Sequence, residues 1–184
     1  MRERIGRYDA LIERLTSAAA ARGQRLWLYL LSDHGMVDVT GERDVMGALA
    51  DLPVRWPQDY LAFFDSTMAR FWWRKDGARQ LVRARLEALG GGHWLTPGEL
   101  REQRAPADPA WGEDVFLLEP GQLMVPSFMG KSALAAMHGY DPSHPDMAAL
   151  LWSNRPVPED VHHLTDVRRF LEAELGAIGR GNAA

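Results

Sequence analysis

The sequence predicts an α/β fold: a sheet flanked by helices and interrupted by an inserted α+β portion. Three observations carry this reading. An amphipathic helical repeat at the N-terminus leads into the apolar run Leu26 to Leu31. Two aromatic-rich runs, Tyr60 to Asp65 and Met68 to Trp73, meet around Asp65-Ser66-Thr67. Strand-like and helix-like segments then alternate to the end of the chain, an order typical of α/β architecture.

Ile5, Tyr8, Ile12, Leu15 and Ala19 recur at helical spacing, which places them on one face of a helix ending near Gly23. Residues 26–31 read as a buried strand. Glu42 to Leu52 reads as a short helix stopped by Pro53, which cannot continue one. The two aromatic runs read as a strand pair. Ala78, Leu81, Val82, Leu86 and Leu89 mark a second amphipathic helix, closed by Gly90-Gly91-Gly92. Residues 96–103 form a short helix with Thr96 as N-cap and Glu99 at the capping-box position. The Pro-rich stretch Ala105 to Trp111 is a loop. Val115 to Leu118 and Leu123 to Val125 are short strands around the turn Glu119-Pro120-Gly121. Phe128 to Ser143 is irregular, and Ala148 to Trp152 is a buried strand. A last helix runs from about Thr165 to Leu175, and the tail from Gly179 frays.

The 184 residues fit one domain, and 46% hydrophobic with 25% charged residues is ordinary for a globular chain. A net charge of −4 gives no reason to expect a nucleic acid polymer as partner. The chain has no cysteine, so a metal site must use His, Asp or Glu. No apolar run approaches a membrane span, and the N-terminus lacks the continuous apolar stretch of a signal peptide, so a cytoplasmic location is expected. Lys75 and Lys131 are the only lysines among many arginines, a bias read as genomic composition.

Two segments carry candidate chemistry. Asp33-His34 lies where the first strand ends, the end at which open α/β sheets bind ligands. Neighbours in a regular strand point to opposite faces, but Gly35 allows the chain to turn and swing both side chains together. The plain alternative is a turn-capping Asp beside a hydrogen-bonded His. The second segment is His138-Gly139-Tyr140-Asp141-Pro142, an irregular stretch ahead of the last strand. A lone loop histidine is usually only solvated; His138 gains weight as one more ligand beside Asp33 and His34. His93, His144 and the pair His162-His163 lack such support. Arg79, Arg83 and Arg85 read as the solvated side of their helix. The aromatic group Phe63 to Trp73 reads as core or lid packing. Ser66 and Thr67 have no base beside them in sequence.

Tyr29 to Met36, YLLSDHGM, resembles the metal-ligand segment of the type I phosphodiesterase/nucleotide pyrophosphatase family of the alkaline phosphatase superfamily. Met137 to Asp141, with Met147 to Leu151 and Asn154-Arg155-Pro156, resembles its last metal motif and closing strand. The resemblance implies a mostly parallel sheet flanked by helices in a single partial domain over 1–184. Residues 26–52 and 137–175 would form the metal-site portion, and 55–125 the inserted α+β portion. It also implies a hydrolase of phosphodiester or pyrophosphate bonds with two divalent metals, zinc first. Asp33 and His34 would hold one ion and His138 the other. A small phosphodiester or nucleotide-like molecule would be the substrate of a completed site.

The family pattern also includes an earlier Asp ligand, a Thr or Ser nucleophile and a further Asp and His pair. None has a counterpart ahead of Ile5, so the resemblance implies the C-terminal portion of the fold, with no catalytic nucleophile in this chain. The sheet edge left uncovered would then favour self-association. Two alternatives stay open: a non-catalytic remnant or interaction protein with a residual metal site, and a relative acting on phosphonates or phosphomonoesters.

Overall fold

The computed structural model describes residues 2–106 and 108–181. In chain order it runs through helix α1 (Arg2–Ala21), strands β1 (Tyr29–Leu31), β2 (Val37–Asp38) and β3 (Gly41–Arg43), and helix α2 (Val45–Leu49). Strands β4 (Tyr60–Phe64) and β5 (Met68–Trp73) follow, then helix α3 (Ala78–Leu89), strand β6 (Gly92–Trp94) and helix α4 (Pro97–Glu102). Strands β7 (Asp114–Leu118), β8 (Gln122–Met124), β9 (Ala136–Met137) and β10 (Leu151–Ser153) lead to helix α5 (Leu164–Gly181). Single 3₁₀ turns occupy Pro109–Trp111 and Pro145–Met147. The chain forms two units, Met1–Asp33 with Ala149–Ala184, and His34–Ala148. No helix among the described residues is long and apolar enough to cross a membrane.

In the first unit β1 pairs antiparallel with β10, Tyr29 opposite Ser153 and Leu31 opposite Leu151. The expected strand at 26–31 is shorter because its first half bonds to a side chain instead of a ladder. The Asn154 amide donates to Leu26 O and accepts from Leu28 N, both at 2.9 Å. The two strands are also less buried than their apolar sequences suggest, with Leu31, Leu150 and Trp152 each about half exposed. The half-buried Tyr29 ring meets Phe170 of α5 edge to face at 5.5 Å. The Tyr29 hydroxyl bonds the Glu174 carboxylate, which also accepts from Arg155 Nε at 3.1 Å. Arg155 in turn lies 3.8 Å over the Trp27 ring. Helix α1 forms as its repeat predicts, but Ile5, Tyr8, Leu11 and Leu15 are exposed. Helix α5 continues through Gly179 to Gly181, where fraying was expected; 182–184 lie outside the described residues.

The second unit is built on a four-stranded antiparallel sheet in the order β4-β5-β7-β6. Alternation decides its buried face: Tyr60, Ala62 and Phe64, then Ala69 and Phe71, then Phe116 and Leu118 point to one side. Helix α3 covers that side with Ala78, Val82 and Leu86, all fully buried, and α2 adds Val45 and Leu49. Gly90 stops α3 with φ 69°, a left-handed conformation that glycine adopts at no steric cost. The helix expected from Glu42 starts only at Val45, after Asp44, whose Oδ1 accepts from Gly47 N at 2.7 Å. Residues 41–43 belong instead to β3, paired parallel with β8. The other described ladders are antiparallel, so parallel pairing enters this mixed α/β chain through β3 and β8.

The arginines of α3 are not merely solvated. Arg79 grips Asp114 with two bonds, at 2.7 and 2.8 Å, and Arg83 lies 3.4 Å from the same carboxylate. Asp114 sits on the buried face of β7, 9% exposed, and needs those charges. Arg85 bonds Asp51 and the Ala48 carbonyl. His93 finds the acidic partner it lacks in near sequence: its Nε2 lies 3.0 Å from Glu99 Oε1.

Candidate metal site

Within the second unit the segment after His34 runs beside the 3₁₀ turn at 145–147. Gly35 N donates to Met147 O at 3.1 Å and Met36 N to Asp146 O at 2.7 Å. A Cβ on residue 35 would stand 1.9 Å from Asp146 O. Gly35 therefore serves close backbone approach, not the sharp turn expected of it. Strand β2 then pairs with β9, Val37 opposite Met137. That register carries His138 to His34: the imidazoles stack with centroids 3.8 Å apart and planes 19° from parallel. Both rings are half-buried.

Three contacts hold the His138 segment. Gly139 has φ 89°, and a Cβ there would meet Thr67 Oγ1 at 2.7 Å. Thr67, buried at the β4–β5 turn, donates its hydroxyl to Gly139 O at 2.9 Å. Tyr140 is buried against Val37, Met137 and Met147, and its hydroxyl donates to Gln122 O at 2.9 Å. Burial raises the pKa of that phenol. No local pattern marks Thr67 as a support of His138, since the two segments are far apart in sequence. Its position between two predicted strands was the only available signal.

His34 Nδ1 lies 2.7 Å from Gly35 O. A carbonyl only accepts, so Nδ1 is the donor in this contact, the kind of hydrogen bond that orients a metal-binding imidazole. Asp33 is exposed and belongs to the first unit. It follows Ser32, which extends the β1–β10 pairing by donating N to Leu150 O at 2.9 Å and accepting Leu150 N on Oγ at 2.8 Å. Among the described residues no group of three or more His, Asp or Glu is arranged to hold a metal. His144 Nδ1 accepts from Asp146 N at 3.3 Å, and the backbone N–H groups of His162 and His163 donate to Asp166.

The fold is shared with part of several solved hydrolase structures. Murine ectonucleotide pyrophosphatase/phosphodiesterase 5 matches it with TM-score 0.65 and 18% identity over 83% of this chain; an inactive form of that protein has been solved with AMP. The human protein of the same name matches with TM-score 0.66 and 17% identity over the same share. Phosphonoacetate hydrolase from Sinorhizobium meliloti 1021, solved with phosphonoformate, matches with TM-score 0.54 and 19% identity over 80% of this chain. This chain spans about 40% of the length of each. No protein-family model and no curated protein matches the sequence. At these identities the likeness establishes the fold.

Proposed function

We propose that this chain is the C-terminal portion of a metal-dependent hydrolase of phosphodiester or pyrophosphate bonds, with Asp33 and His34 ligating one divalent ion and His138 a second. The apposition of His34 and His138 carries the reading. The stack sets two imidazole donors side by side, as ligands of neighbouring ions in a two-metal site would stand. The donor chemistry fits zinc, since imidazole and carboxylate are its usual ligands in a chain without cysteine. When bound, such a pair makes a hydroxyl nucleophilic near neutral pH and neutralises charge on phosphoryl oxygens. The chain's own part is to present the two imidazoles on a support of Gly35, Thr67 and Tyr140. The remaining ligands and the nucleophile fall outside the residues named here, so turnover is assigned to a completed site. The substrate is a small phosphodiester or nucleotide-like molecule. The phosphonoacetate hydrolase match favours a second reading, a site acting on phosphonates.

Zinc titration of the chain, followed by imidazole NMR, tests the metal assignment. His34 and His138 resonances should shift together, and Asp33→Ala should weaken binding by about tenfold or more. Zinc that leaves both rings unmoved would sink the proposal. Turnover of bis(p-nitrophenyl) phosphate against phosphonoacetate, by a protein carrying the missing ligands, separates the two substrate readings.

A further inference from the structure

The β4-β5-β7-β6 sheet has a second face, opposite α3. Met68 and Arg70 of β5 and Val115 and Leu117 of β7 point to it, since Met68 pairs with Leu117 and Arg70 with Val115. Helix α4 and the loop after it do not close down on this face. They leave a pocket of about 270 Å³, whose walls include Leu100, Trp111 and Tyr140. Its walls are mainly apolar, so water inside would find few partners; an apolar cavity of about 150 Å³ already admits benzene.

Arg70, Gln103, Glu113 and Asp114 interrupt the apolar lining, and Arg70 is the cation among them. The Arg70 guanidinium lies 5.0 Å from the centroid of the cross-strand Phe63 ring. Its Nε is buried and has no hydrogen-bond partner among the described residues. A buried donor left unmade is costly, and a stacked guanidinium keeps its in-plane donors for a planar anion. The neighbouring acids do not answer it. Asp114 is held by Arg79 and Arg83, and Glu113 accepts from Trp73 N at 3.3 Å.

We propose that this pocket binds a small monoanion with an aromatic or aliphatic body, the anionic head at Arg70 and the body between Met68, Leu117, Leu100 and Trp111. None of its contacts uses His34 or His138, although Gly139 and Tyr140, which hold His138, also line its wall. Benzoate is the probe, because it has no phosphorus and cannot be turned over. In an NMR titration of the full chain it should bind saturably, with Kd on the order of 1 mM for a ligand of that size. Benzylamine, of the same shape and opposite charge, should not bind. Arg70→Met should weaken benzoate about tenfold by removing a charge-assisted pair, and Leu100→Trp should abolish binding by filling the space. In the unmodified chain, ring protons of bound benzoate should show NOEs to Met68 and Leu117 methyls, a measurement that needs no variant to fold. Absence of saturable binding at about ten times that Kd overturns the proposal. Equal binding of benzylamine, or NOEs to residues outside the pocket, does so too.

Discussion

Gly35→Ala is the most direct probe of the candidate site. The new methyl would lie 1.9 Å from Asp146 O and 2.8 Å from its carbon, where ordinary contacts are about 3.5 Å. Both atoms are backbone, so no side chain can swing away, and the segment at 34–36 must part from 145–147. Parting costs the Gly35–Met147 and Met36–Asp146 hydrogen bonds, each worth about 1 kcal/mol. It also loosens Val37 against Met147, which adds a further ~1 kcal/mol of lost packing. A loss of about 3 kcal/mol corresponds to a fall of roughly 6–12 °C in melting temperature for a chain of this size. Gly130→Ala is the control, because a Cβ there meets nothing within 4 Å. It should stay within about 0.5 kcal/mol of the parent. Calorimetry gives the stability, and imidazole NMR reports whether the His34–His138 stack survives. A Gly35→Ala chain that melts like the parent with the ring shifts intact refutes the reasoning.

Asp114→Ala should destabilise the second unit by about 2–4 kcal/mol in denaturant titration, because Arg79, Arg83 and Trp73 Nε1 all lose their acceptor. Thr96→Ala should cost about 1 kcal/mol by removing the α4 cap. Hydrogen bonds from the Thr96 side chain and backbone, with His93 nearby, hold the Glu99 carboxyl below its usual range. The cap's contribution is therefore complete above the ordinary carboxylate pKa of about 4.3 and is lost as pH falls through the depressed value. Carboxyl NMR of Glu99 should show that depression in the parent and a smaller one in Thr96→Ala, where the backbone N–H and His93 remain; an unchanged titration contradicts the capping box.

Features that depend on near neighbours were legible in the sequence. The β4–β5 pair, the buried positions of α3 and the Thr96–Glu99 box each follow from spacing within one segment. What the sequence hid depends on distant partners. Asn154 shortens β1 from the far end of the chain, and Asp114 turns a helix of arginines from solvent to an ion pair. The α2 boundary moved because β8 recruits residues 41–43. At the candidate site His34 and His138 were both named from their motifs. The two-residue strands β2 and β9 that appose them are too short to leave a periodic signal, and Thr67 announces its bond to Gly139 in no local pattern.

The chain path of the first unit has a consequence for the order of folding. Leu28 and Asn154 are partners across 126 residues, so β1 cannot find its β10 ladder until the chain has grown that much further. The second unit lies between them and can close its hairpins and helices with far shorter loops, at smaller entropic cost. During synthesis it therefore matures while β1 still waits for a strand. Over that interval Tyr29 to Leu31 lack this ladder, and the arrival of β10 completes it.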